Sequence, residues 1–73
     1  MTYKKTHTDH GDSSYIFQGI DSWNGKHITG YILYRPWNGT SRQWSVVFCP
    51  DQRDADCAFE AKTLKECKQW LEA

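Results

Sequence analysis

The chain has 73 residues, with nine Lys and Arg matched by nine Asp and Glu for a formal net charge of zero. That length allows one domain around one small core. The neutral balance excludes a protein held to nucleic acid by bulk charge, which requires clustered Lys and Arg.

Residues 1–13, "MTYKKTHTDHGDS", offer almost nothing to bury and no apolar stretch of the secretory kind. They are expected to form a flexible arm on a cytoplasmic protein. No run approaches the roughly 20 apolar residues that cross a bilayer. The folded domain is expected over 14–73. "YIFQGI" (15–20), "HITGYILY" (27–34) and "QWSVVFC" (43–49) have the aromatic and β-branched composition of strands.

The tripeptide "WNG" occurs at Trp23-Asn24-Gly25 and again at Trp37-Asn38-Gly39, and Asn-Gly is a strong hairpin signal. A two-residue turn at Asn24-Gly25 pairs Ile20 with Thr29, Gly19 with Gly30, Phe17 with Ile32 and Tyr15 with Tyr34. The same geometry at Asn38-Gly39 would oppose Arg35 with Arg42 and put Pro36 in the ladder, both unfavourable. A longer loop, "RPWNGTSR", is therefore expected, with Tyr34 opposite Trp44 and Ile32 opposite Val46.

"PDQRDAD" (50–56) reads as a polar loop. In "CAFEA", Cys57, Phe59 and Ala61 alternate with Ala58 and Glu60, which suggests a short further strand. Thr63 followed by Glu66 is a capping box. Leu64, Cys67 and Leu71 continue it at helical spacing, so a helix of about ten residues should close the domain. The expected architecture is α+β: a three- to four-stranded antiparallel meander with one carboxyl-terminal helix on one face.

Alternation places Tyr15, Phe17, Ile32, Tyr34, Trp44, Val46 and Phe48 on one face. Ile16, Ile20, Tyr31, Leu33, Val47 and Cys49 fall on the other. Neither face is polar, although an antiparallel sheet with a solvated side should alternate. One helix covers one face, so the other is expected to present an apolar, aromatic-bearing interaction surface. The alternative is strong sheet coiling, or cover by the arm.

Candidate chemistry is sparse. Seven residues separate Cys49 from Cys57 and nine separate Cys57 from Cys67, which matches no zinc pair. Cys57 and Cys67 read as small core hydrophobes. His7, His10 and Asp9 on a flexible arm make a poor preformed metal site. Asp51, Asp54 and Asp56 lack the glycine and distant Glu of a calcium loop. No phosphate loop, dinucleotide fingerprint or nucleophile elbow is present. The chain is accordingly read as no enzyme, with no catalytic, cofactor-binding or metal-ligating residue assigned.

The loop "RPWNGTSRQW" interleaves Arg35, Trp37, Arg42 and Trp44. These are the residue types that dominate hot spots and that also clamp phosphate and stack on bases. The competing reading is that Trp37 caps the sheet end with an Arg stacked on it.

Strand, strand, strand and a capped helix, ending in "FEAKTLKECKQWL", make Ile28–Ala73 resemble the sheet-based DNA-binding modules of the AP2 and integrase amino-terminal type. The resemblance implies a sheet lying in the major groove. The corresponding alternative expectation is a DNA- or RNA-binding module in which Lys4, Lys5, Lys26, Arg35 and Arg42 touch phosphate and Trp37 stacks. The leading expectation is different: a non-enzymatic protein-binding module of adaptor or inhibitor type, with the economy of small phage-encoded host-factor inhibitors. It would use Tyr31, Arg35, Trp37, Arg42 and Trp44 against a protein partner, with self-association as a homodimer a further expectation.

Overall fold

A computed structural model describes residues 1–20, 25–49 and 58–73. Five strands form one antiparallel sheet in chain order. These are β1 (Thr2–His7), β2 (Ser13–Ile20), β3 (His27–Tyr34), β4 (Trp44–Cys49) and β5 (Phe59–Ala61). A 3₁₀ turn, Pro36–Asn38, joins β3 to β4, and helix α1 (Leu64–Glu72) follows β5. The α+β meander with a carboxyl-terminal helix is thus present, with five strands rather than three or four. Among the described residues no helix is long and apolar enough to cross a membrane.

The additional strand comes from the segment expected to be an arm. Thr2–His7 pairs along its whole length with β2, Tyr3 opposite Phe17 and Lys5 opposite Tyr15. An edge strand has one neighbour and needs few apolar side chains. Here Met1 and Tyr3 alone pack against the core, while Lys4 and Lys5 stay exposed, charges that discourage edge-to-edge pairing.

The second hairpin has the expected register, with Tyr34 opposite Trp44 and Ile32 opposite Val46. The first is offset by two residues. Ile20 faces His27, Phe17 faces Gly30 and Tyr15 faces Ile32, two positions from the register that a two-residue Asn24-Gly25 turn would set. Residues 21–24, including Trp23 and Asn24, lie outside the described residues. The offset has a packing cause. A Cβ on Gly30 would come within 2.7 Å of Phe17 Cζ and still closer to the Val47 carbonyl oxygen. Gly30 is where the Phe17 ring crosses the neighbouring strand. A two-residue slip preserves which face each side chain takes, so the predicted faces hold.

Phe17, Ile32, Val46, Ala61, Cys67 and Leu71 form the buried core between the sheet and α1. Complete burial of Phe17, Ile32 and Val46 contributes about 1.5–3 kcal/mol each. Aromatic rings surround it: Phe48 meets Phe17 edge-on with centroids 5.6 Å apart, and Trp44 lies 4.9 Å from Tyr34. Trp70 stacks on Phe59 at 4.8 Å, nearly parallel. Most of the chain's rings are therefore used on the helix side. Cys57, the other residue expected in the core, lies outside the described residues.

Nine residues are too few for a helix to persist alone in water, so α1 depends on its cap and its packing. Thr63 Oγ1 accepts from the Glu66 amide at 3.2 Å, and Glu66 Oε2 accepts from the Thr63 and Lys62 amides. Lys68 Nζ lies 4.6 Å from the Tyr3 ring centroid and 5.5 Å from that of Tyr15, which fastens α1 to β1 and β2.

Burial pushes the Tyr3 phenol up from 10.0 to about 12, and the Glu72 carboxylate, by its charge and as an acceptor, pushes it the same way; among the described residues the hydroxyl has no partner at regular hydrogen-bond geometry. Because the folded state holds this proton more tightly, the associated stability is complete below pH 10 and is lost as pH rises towards 12. Tyr3→Phe should flatten that alkaline loss in denaturant titrations and remove the latest-titrating phenol from the ultraviolet absorbance curve.

Candidate functional site

The sheet face away from α1 carries Ile16, Tyr31 and Leu33, all half-buried, with Val47 buried and Ile20 58% exposed. Pairing sets Lys4, Ile16, Tyr31 and Val47 in one row across four strands, and Thr6, Ser14, Leu33, Ser45 and Glu60 in the next. The Ser14 hydroxyl donates to the Ile32 carbonyl at 3.3 Å. Ser45 Oγ is fully buried with no partner among the described residues, an arrangement that costs about 1–3 kcal/mol. Ser45→Ala should therefore raise the unfolding free energy by about 1 kcal/mol in denaturant titration; a loss of similar size would mean that the hydroxyl is satisfied in solution.

At one end of this face the rows open into a cleft of 540 Å³ between the β1–β2 turn and the 3₁₀ turn. Its floor is Ile16, Tyr31 and Leu33; Arg35 and Trp37 stand on one side, His7 and His10 on the other. That volume falls in the range of small-ligand sites, about 300–1,000 Å³.

Both walls are built by local turn chemistry. In the β1–β2 turn the Thr8 amide donates to the Asp12 carbonyl and the Gly11 amide to the Thr8 carbonyl, each at 2.9 Å. Thr8 Oγ1 accepts from the Asp12 amide at 3.1 Å. The opposite wall begins with the Arg35 amide donating to the Gln43 carbonyl at 2.6 Å. Pro36 starts the 3₁₀ turn and Gly39, at φ +77°, ends it in the left-handed region that suits glycine. Asn38 ties the loop together: its Oδ1 accepts from the Thr40 amide at 2.9 Å, and its Nδ2 donates to the Arg42 carbonyl at 3.0 Å. The second "WNG" thus has a local structural role in Asn38 and Gly39. Trp37, by contrast, projects 50% exposed and meets the His10 ring at 4.5 Å across the mouth of the cleft.

Of the residues picked out from sequence, Tyr31, Arg35 and Trp37 converge on this cleft. Trp44 does not. It lies on the helix side against Tyr15 and Tyr34. Arg42 is exposed and lines a separate open depression of about 560 Å³ with Phe59, Glu60 and Glu66. The cations named for nucleic-acid binding are likewise scattered. Lys4 and Lys5 take opposite faces of β1. Lys26 precedes β3 and Arg35 follows it, about 30 Å apart at strand rise.

His7, His10, Thr6 and Thr8 also line the cleft. Sequence reasoning placed them on a solvated tail, and only pairing of "TYKKTH" as an edge strand would have brought them here. Among the described residues no three His, Cys, Asp or Glu side chains are grouped to hold a metal ion. Comparison of the chain with protein-family models, curated proteins and solved structures found no match.

Proposed function

We propose that the chain is a small non-enzymatic binding module that receives a segment of another polypeptide in the cleft on its helix-free face. The observation carrying this reading is Trp37. It is a large indole, half exposed on a turn already fixed by Pro36, Gly39 and the Asn38 hydrogen bonds, beside a concave apolar floor. An exposed Trp held rigid at a cleft loses little freedom when a partner covers it, which is how a few anchors come to dominate an interface. An adaptor or inhibitor acts in this way, by occupying a surface. Capture from extract of the source cell, with wild type and Trp37→Ala immobilised in parallel, tests it. A partner retained by the first and lost by the second is expected, and equal retention counts against the cleft. Sedimentation of the purified protein shows whether a second copy of this chain is that partner.

A further inference from the structure

We propose that the segment taken by the cleft is acidic, with a carboxylate on the Arg35 guanidinium and an adjoining aromatic or aliphatic side chain on the floor of Ile16, Tyr31 and Leu33. This rests on the reading of the protein as a polypeptide-binding module and specifies the chemistry of what it binds.

Arg35 is half-buried in the cleft wall, and its guanidinium makes no hydrogen bond and no ion pair among the described residues. A guanidinium carries five N–H donors and cannot shed its charge by deprotonation. A carboxylate meets such a group in two parallel hydrogen bonds, and a partner that closed over the cleft without one would strip water from the charge uncompensated. The nearest acid in sequence on the opposite wall, Asp9, also lines the cleft but forms no ion pair with Arg35 and stays exposed on its turn. A second cation sits beyond the far side of the floor: Lys4 pairs across to Ile16 on this same face and is exposed. The face therefore offers cation, apolar strip, cation. That pattern complements an extended segment in which acidic residues flank an apolar one. It does not suit a nucleic-acid backbone, which needs a track of several cations, whereas here Ile16, Tyr31 and Leu33 lie between the two.

The test is a titration of ¹⁵N-labelled protein followed by amide and indole resonances. The probes are the capped peptide Glu-Phe-Glu-Phe, its Gln-Phe-Gln-Phe counterpart, and an eight-residue oligothymidylate. The acidic peptide should shift Tyr31, Leu33 and the Trp37 indole saturably, and the neutral peptide should bind at least about tenfold more weakly. Arg35→Gln, checked for a native amide spectrum, should abolish that difference. Asp9→Asn should strengthen the acidic peptide by about two- to threefold. Equal binding of both peptides at these resonances would overturn the acidic specificity and leave the polypeptide-binding reading standing. No saturable shift with either peptide would overturn both. Tighter binding of the oligothymidylate than of the acidic peptide at the cleft would replace both with a nucleic-acid site.

Discussion

Gly30→Ala should destabilise the protein by about 3 kcal/mol or more, the upper end of what overpacked cores show. The added Cβ would meet two obstacles that differ in kind. Phe17 Cζ, at 2.7 Å, belongs to a side chain that could rotate away at some loss of burial. The Val47 carbonyl oxygen is closer, and it belongs to the backbone of β4, an interior strand paired on both sides. It can move only if the β3–β4 ladder moves. Phe17→Ala should itself cost about 3–5 kcal/mol, since the ring is fully buried. The two changes together separate the obstacles. If the backbone contact dominates, alanine at position 30 remains costly when Phe17 is already alanine. Full rescue in the double variant, measured by denaturant titration, would show that the ring alone was the obstacle. Because a domain of this size has only about 5–15 kcal/mol in total, the single glycine variant should already unfold at markedly lower denaturant.

Trp37→Ala should weaken binding of the polypeptide partner proposed for the cleft by about 2–4 kcal/mol, the range of a hot-spot residue, while leaving stability within about 0.5 kcal/mol. Trp37 lies outside the buried core cluster and touches His10 at the cleft mouth. Trp70→Ala is the matching control. That indole is 39% exposed, on the helix side, stacked on Phe59. Its loss should reduce stability and leave affinity unchanged. A partner that tolerates Trp37→Ala but not Trp70→Ala would move the interface to the helix and the β5 edge.

The faces of the sheet were legible because alternation depends only on parity. A register error of two residues in the first hairpin left every side chain on its proper side. The second hairpin was legible in full because Pro36 and the opposed arginines excluded the tight alternative. The register of the first hairpin was misjudged because Asn-Gly was weighed above the need of the Phe17 ring for an absent Cβ opposite, a requirement to which β4 adds the Val47 carbonyl. The same alternation separates Trp44 from Tyr31, so its inclusion in the site followed loop proximity over pleat. Strand β1 was hidden by its polarity. With it went the histidine wall, and half of the cleft could not be read.

The contact of Lys68 with Tyr3 and Tyr15 bears on the order of synthesis. Strand β1 is made before every other element described, yet the group that covers its inward ring is supplied by α1, the last of them. On the ribosome, β1 and β2 can pair as soon as both have emerged, but Tyr3 then stays wet until Lys68 and Glu72 have been added. Contacts between such distant stretches of chain form slowly. The meander should therefore grow as an open, one-sided sheet and become a closed domain only when translation has passed the helix.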